Sequence, residues 1–123
     1  MLDKPILFLA TSNPSASKIF YENKIGLSFI SSDPYALVFK VGEVELRIQI
    51  VNSVTAAPYT SLGWSVNNLE KTIKRLSSNG VDFESYEHLE QDIHKIWHSP
   101  SGAKIAWFKD PDNNTLSLTE HYR

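Results

Sequence analysis

Apolar and polar positions in the first half of the chain change from strand spacing to helix spacing and back again. The apolar run Ile6–Ala10 predicts a strand, and Ser12-Asn13-Pro14 then provides a polar cap followed by proline at the first helical position. Apolar residues at i, i+3 and i+4 predict a helix over Ser15–Asn23, and Gly26 follows where a helix end favours positive φ. Strands predicted at residues 27–30, 36–41 and 44–51 complete a β-α-β-β-β order.

The second half repeats this order. A predicted strand at residues 62–66 precedes the cap Asn67-Asn68, a helix over Leu69–Asn79 and a terminating Gly80. Further strands are predicted at residues 81–83, 95–98, 103–109 and 115–119. Asn68 lies 55 residues after Asn13, and Gly80 lies 54 residues after Gly26. A repeat of this period indicates two supersecondary units, neither of which buries its sheet face alone.

The repeat predicts an α+β fold. We expect two tandem β-α-β-β-β modules, at residues 1–54 and 60–120, inside a single domain that spans residues 1–123. Each module would carry its helix on the outer face of a four-stranded sheet. The inner faces would then enclose a cleft or a partly open eight-stranded barrel.

Composition excludes several classes of site. The formal net charge is −2, and the chain lacks the basic stripe that a nucleic-acid groove needs, so a small molecule or a second copy of the chain is the expected partner. The chain has no cysteine, which excludes disulfides, thiolate nucleophiles and cysteine-bound zinc. No apolar run approaches the roughly 20 residues of a membrane helix, and the N-terminus lacks a signal-peptide pattern. We therefore expect a cytoplasmic protein that binds neither nucleic acid nor membrane.

Three motifs resemble those of one family. The segment Trp107–Leu118, with its turn Asp110-Pro111-Asp112-Asn113-Asn114, resembles the closing signature aromatic-Phe-x-Asp-Pro-Asp-Gly-Asn-x-x-Glu-Leu. Ser17–Tyr21 resembles the pattern Ser-x-x-Phe-Tyr, and Val66–Leu69 resembles Val-Asp-Asp-Leu. On these motifs the chain is identified as a member of the vicinal oxygen chelate superfamily, which includes glyoxalases, extradiol dioxygenases, and fosfomycin- and bleomycin-resistance proteins. The resemblance covers nearly the whole chain, but this fold hosts many reactions.

The chain departs from the family pattern at its turn and at its metal-binding positions. Asn113 replaces the usual turn glycine and tolerates positive φ. The resemblance implies four cleft-facing ligand positions, and counting from the motifs places Ile6, Arg47, Ser61 and Ser117 there. These residues supply neither histidine nitrogen nor carboxylate oxygen, so we expect no bound metal and no cofactor.

Glu45, Arg47 and Gln49 alternate with apolar residues along one predicted strand. Alternation puts the polar side chains on one face, which on pattern alone indicates a solvated surface. The family architecture instead makes that face line the cleft, so Arg47 and Gln49 become candidates for ligand binding. An arginine in a closed cleft suits a carboxylate, phosphate or enolate oxygen.

Aromatic residues provide the other candidates. Counting from the Asp110-Pro111 turn places Trp107 toward the cleft and Phe108 toward the core, although core packing of Trp107 is an equal alternative. Phe8 and Trp64 have similar claims. The predicted ligand-binding set is Arg47, Gln49, Trp107, Ser117, Ser61 and Phe8.

The polar stretch 84–98 contains His88, His94 and His98. A solvated loop is the simplest interpretation, and the alternatives are a lid over the cleft with one working histidine, or a metal site. No nucleophile elbow, phosphate loop or zinc-ligand spacing is present in the sequence.

These observations leave three hypotheses. The first is metal-independent binding of a small organic ligand in the cleft of a glyoxalase- or bleomycin-resistance-like protein. The second is a lyase, isomerase, epimerase or dioxygenase-type enzyme acting on a small oxygen-rich substrate. The third is a partner-binding dimer with a vestigial cleft. A homodimer is expected in each case, because open sheet edges are usually covered.

Overall fold

A computed structural model describes residues 1–122. Its strands are β1 Ile6–Thr11, β2 Ser28–Ser32, β3 Ala36–Val41, β4 Val44–Ile50, β5 Thr60–Ser65, β6 Trp97–His98, β7 Lys104–Lys109 and β8 Thr115–Glu120. The helices are α1 Pro14–Ile19, which continues as a π-helical segment Phe20–Ile25, and α2 Leu69–Ser78. The strands form two separate four-stranded sheets, so the predicted α+β class is confirmed. Within residues 1–122, no helix has the length and apolar character needed to cross a membrane.

The first compact unit comprises residues 1–56 together with the turn tip at 111–113. Its sheet has the strand order β1-β4-β3-β2, in which β1 runs parallel to β4 and the other pairs are antiparallel. One face is packed into the core, where the buried residues are Leu9, Phe20, Tyr21, Leu37, Phe39, Leu46 and Ile48. Burial of these side chains supplies the main driving force for folding of the unit.

The first helix begins and ends where its capping residues predict. The Asn13 side chain accepts a hydrogen bond from the Ala16 backbone N–H at 3.2 Å, and Pro14 occupies the first turn. Gly26 ends the segment at a φ of 91°, a conformation that favours glycine. The helix predicted over Ser15–Asn23 is observed, but from Phe20 the chain widens into the π-helical segment. Apolar spacing does not reveal this change.

The second compact unit comprises residues 57–110 and the chain from Asn114 onward. Its sheet has the order β5-β8-β7-β6, with β5 parallel to β8, and thus repeats the topology of the first sheet. The Asn68 side chain caps α2 by accepting from the Lys71 backbone N–H at 3.1 Å. The helix buries its predicted stripe, Leu69, Ile73 and Leu76.

Two strands predicted in this unit differ from those observed. Residues 81–83 do not form a strand, and only Phe83 makes an isolated bridge to Phe108. The strand predicted at 95–98 is reduced to Trp97–His98, because Lys95 adopts a left-handed φ of 64° that extended backbone does not allow. The polar stretch before β6 is therefore an irregular loop.

The tip of the Asp-Pro-Asp turn belongs to the first unit. The Asp112 carboxylate accepts hydrogen bonds from the Thr11 hydroxyl, from the Ser12 backbone N–H and hydroxyl, both at 2.9 Å, and from the Ser17 hydroxyl at 3.4 Å. Burial alone would raise the pKa of Asp112, but these hydrogen bonds favour the carboxylate and lower it. Asn113 takes a φ of 67°, the conformation predicted for the residue that replaces the turn glycine.

Candidate functional site

The first sheet has one buried face and one open face, and the predicted alternation is observed along β4. Leu46 and Ile48 are completely buried, whereas Arg47 is partly exposed and Gln49 is exposed. In the register, Arg47 lies beside Phe8 of β1, whose side chain is 55% exposed. Arg47, Gln49 and Phe8 therefore share the open face of the first sheet.

Arg47 has an acidic neighbour on the same face. Its Nη1 lies 3.3 Å from Oε2 of Glu45, and 35% of the Arg47 side chain remains exposed. The sequence placed Glu45 on this face but did not predict the ion pair. An exposed pair of this kind contributes only about 0–1 kcal/mol, so the guanidinium remains available for other contacts.

The four positions expected to hold a metal do not fit one. Ile6 pairs in the register with Glu45, and Ser117 pairs with Gly63, while Ser61 lies at an irregularity of β5 between Thr60 and Leu62. An alkyl group, a guanidinium and two hydroxyls are not the donors that divalent ions prefer. Among residues 1–122, no group of three or more His, Cys, Asp and Glu side chains is arranged to hold a metal ion.

The second sheet also has an open face, and Trp107 lies on it. Phe108 is completely buried, while Trp107 is partly exposed and pairs across the strands with Ser117. Ser117 in turn pairs with Gly63 of β5, and a Cβ atom at Gly63 would overlap the Ser117 Oγ. Glycine at this position therefore leaves the space that the Ser117 side chain occupies.

A pocket of about 230 Å³ lies beside Trp107, entirely within the second unit. It is lined by Pro58, Tyr59, Thr60, Tyr86, His88, Leu89, Trp107 and Thr115. Three aromatic rings and an imidazole thus meet in one concavity. We call this site the Trp107 pocket.

Contacts within the second unit fix the geometry of the Trp107 pocket. The Trp107 indole N–H donates to the Thr60 hydroxyl at 3.1 Å. The Tyr86 ring meets Trp107 edge-on, with centroids 5.6 Å apart, and Trp97 lies at 6.2 Å from the same indole. Burial raises the pKa of Tyr86, and the negative charge of Glu84 raises it further. The walls of the pocket are therefore positioned before any ligand binds.

The three histidines of the polar stretch do not come together. His88 lines the Trp107 pocket, and its ring lies 5.7 Å from that of Tyr86. His94 lines a different cavity of about 430 Å³ beside α2. His98 Nε2 lies 2.9 Å from the Asp92 carboxylate, which also accepts from the His94 and Ile96 backbone N–H groups.

Sequence reasoning left the direction of Trp64 open between cleft and core, and it missed two tyrosines. Trp64 stacks on buried Phe108 with centroids 6.5 Å apart, so it lies on the core side of the sheet and not on the open face. Tyr59 and Tyr86 line the Trp107 pocket but lie outside regular strands, where no alternation indicates their direction.

No family model and no curated protein matches the sequence. Solved structures do match. A glyoxalase family protein from Enterococcus faecalis is 27% identical, with 94% of each chain covered and a TM-score of 0.73. A glyoxalase/bleomycin resistance protein/dioxygenase from Alicyclobacillus acidocaldarius is 15% identical over 98% of this chain and 92% of that one, with a TM-score of 0.76. A bleomycin-binding protein in complex with bleomycin is 19% identical over 98% of this chain and 100% of the other, with a TM-score of 0.75.

Proposed function

Because the chain has the fold of the vicinal oxygen chelate superfamily, as its motifs predicted, we propose that it binds a small organic ligand without a metal ion. The observation that carries the proposal is the Trp107 pocket. Its aromatic walls and few polar groups are typical of small-molecule sites, in which apolar surface provides affinity and polar groups fix orientation.

The hydroxyl and imidazole groups around the pocket give a ligand its polar contacts. Tyr86 and His88 offer a hydroxyl and an imidazole within the lining, and Ser117 lies beside Trp107 in the register. The similar bleomycin-binding protein, solved with bleomycin, supports ligand binding by this fold.

Metal independence is the second part of the proposal. It rests on the side chains at the four expected positions, Ile6, Arg47, Ser61 and Ser117, which offer no imidazole or carboxylate. Moving the count by one residue along β1, β4, β5 or β8 brings in no histidine or carboxylate either. A shift of the count within these strands therefore does not restore a ligand set.

Catalysis is the alternative, and one observation favours it. His88 stands in the same pocket as Trp107 and Tyr86, so an ionisable group able to move a proton faces the proposed ligand. A lyase, isomerase or dioxygenase-type enzyme of the same superfamily would act through such a group on a small oxygen-rich substrate. Loss of turnover in His88→Ala with ligand binding retained is the result that supports catalysis over simple binding.

The experiment captures the ligand directly. The purified protein is incubated with cell extract, washed and denatured, and the released small molecules are identified by mass spectrometry. We expect one compound at near-stoichiometric amounts, greatly reduced for Trp107→Phe and unchanged for Trp64→Phe. Trp64 is the matched control because it lies on the core side of the same sheet.

Two results contradict the proposal. Equal capture by the Trp107 and Trp64 variants would place the ligand elsewhere, and no captured compound would remove ligand binding as the function. Elemental analysis of the purified protein tests whether it binds its ligand without a metal ion. About one zinc, manganese, iron or nickel ion per chain after dialysis would contradict metal independence.

A further inference from the structure

We infer that the Trp107 pocket selects an organic cation, such as a methylated ammonium group, because its walls include Tyr59, Tyr86 and Trp107 and the backbone of Glu84 is anchored beside Trp107. This inference rests on the proposed function and names the chemical class of its ligand.

The aromatic walls of the pocket hold defined positions relative to one another. Tyr86 and Trp107 are nearly perpendicular, with an interplanar angle of 85°, so they form two sides of a corner. The indole N–H is occupied by Thr60, which prevents the Trp107 ring from turning. Tyr59 lines the same pocket and is 70% exposed. A ring face is negative, and several faces around one space attract a cation that sheds its water easily.

The charge around the pocket has the sign that a cation requires. The Glu84 backbone N–H donates to the Trp107 carbonyl at 2.8 Å, and Gln91 Nε2 donates to the Glu84 carbonyl at 3.0 Å, so Glu84 is anchored beside Trp107. The pKa of Tyr86 is raised, mainly by burial and further by the negative charge of Glu84. Both effects disfavour a second negative charge at Tyr86. Glu87 and Glu90 add two more acidic residues to the loop.

One positive group lies near Glu84, because the Lys95 ammonium donates to the Phe83 carbonyl at 2.8 Å, but Lys95 is outside the lining of the pocket. In the part of the chain that the structure describes, no lysine or arginine lines it. Lys109 pairs in the register with Thr115, but its side chain is exposed and outside the lining. A ligand carboxylate would approach Glu84 without a compensating cation in the lining, whereas an ammonium group would meet favourable charge and ring faces together.

The test compares two probes that differ only in charge. Choline carries a trimethylammonium group, and 3,3-dimethylbutan-1-ol carries a tert-butyl group of the same shape without the charge. Binding of each to the intact protein is followed by quenching of tryptophan fluorescence and by chemical-shift changes of the indole N–H signals. We expect choline to bind at least about fivefold more tightly than the neutral probe, and added salt to reduce the difference.

Variants assign the effect to the pocket. Trp107→Leu and Tyr86→Leu should each remove most of the preference for choline. Glu84→Gln keeps the backbone hydrogen bond to Trp107 and leaves the core untouched, so it tests the charge without risk to folding. It should reduce choline affinity several-fold while leaving the neutral probe unchanged. Glu70→Gln, at an exposed position of α2, is the matched control and should change neither.

Other outcomes overturn the inference. Equal binding of the two probes, tighter binding of the neutral probe, or no binding of choline at millimolar concentration each removes selection for a cation. A preference for choline over the neutral probe that persists in both Glu84→Gln and Trp107→Leu also overturns the inference. If a neutral or anionic compound is captured from extract and its capture depends on Trp107, the pocket binds a ligand but does not select a cation.

Discussion

The Arg47 guanidinium has two neighbours on the open face of the first sheet, and they affect its ability to bind a ligand in different ways. Phe8 beside it offers an apolar surface, whereas Glu45 partly neutralises its charge. An arginine paired this way remains a donor to a polar oxygen, because the ion pair uses one nitrogen of a group with five N–H bonds. Ligand contact by Arg47 therefore stays a prediction.

Replacing Arg47 tests that prediction. Losing a charge-assisted hydrogen bond typically costs roughly 1.5–3 kcal/mol, so Arg47→Ala should weaken binding of an anionic compound to the open face of the first sheet by about tenfold or more. Arg47→Lys should restore binding only in part, because the planar fork is lost. Calorimetric titration with an anionic compound that binds the parent protein measures both.

The control for this experiment is Glu45→Gln, which removes the acidic neighbour and keeps the shape of the side chain. It should leave affinity unchanged or improve it if Arg47 binds an anionic oxygen. Parent-like affinity of Arg47→Ala would mean that Glu45, Arg47 and Gln49 form only a solvated face.

Directions of individual side chains followed from sequence where strands are regular. The positions of Arg47 against Leu46 and of Trp107 against Phe108 depend only on alternation, which is a local property. Tyr86 lies in an irregular loop, and its direction is set by hydrogen bonds such as that from its backbone N–H to the Gln91 side chain at 2.7 Å. Such tertiary contacts have no periodic signature in the sequence.

At the scale of elements, the turn between β7 and β8 is the best-determined connection. Asp112 ties its tip to the start of α1, and its partner Thr11, whose hydroxyl donates to the Asp112 carboxylate, is completely buried. Buried hydroxyls that lose an acceptor are costly. The resemblance marked this aspartate as part of a motif, and the structure gives the physical reason for it.

Substitution of Asp112 should therefore destabilise the fold. We expect Asp112→Ala to lower the free energy of unfolding by about 1–3 kcal/mol, measured by urea denaturation. Asp82→Ala, at an exposed position, is the matched control and should change it by less than about 0.5 kcal/mol.

The same contact predicts a dependence on pH. Because the pKa of Asp112 is lower in the folded protein than in the unfolded chain, its charge adds stability above the unfolded value of about 4. That contribution is lost as the pH falls through the folded pKa. The difference in stability between the parent and Asp112→Asn should therefore be largest near neutral pH and shrink in acid. A constant difference from pH 7 to pH 3 would contradict this origin.

The elements that sequence predicted well are those with strong local signals. Asn13 and Asn68 cap their helices, and Gly26 and Gly80 take the positive φ expected of helix ends.

The loop before β6 was predicted less well, because its course depends on Asp92. Burial would raise the pKa of Asp92, but hydrogen bonds from His98 and two backbone N–H groups lower it. Those contacts hold the left-handed turn at Lys95, which shortens the predicted strand.

At the scale of the molecule, the internal repeat and the three family-like motifs predicted the fold, which the solved glyoxalase family structure shares, but they did not predict the ligand. A fold is encoded in spacing that recurs over many residues, whereas a ligand is selected by a few side chains from separate segments. The Trp107 pocket draws on Pro58–Thr60, the loop around Tyr86 and strand β7. No contiguous motif contains this combination.

The remaining prediction at this scale is a homodimer. Each four-stranded sheet ends in edge strands, and the first sheet exposes Ile30 on β2 at 57% and Ile6 on β1 at 48%. Unpaired edges with apolar side chains favour association with another chain. Light scattering at micromolar concentration should give twice the chain mass of 13.9 kDa. Lysine introduced at the pairing edge, as Ile30→Lys or Ile6→Lys, should shift the mass to that of one chain, because a charge opposes strand pairing. A monomer mass for the parent protein would contradict the dimer.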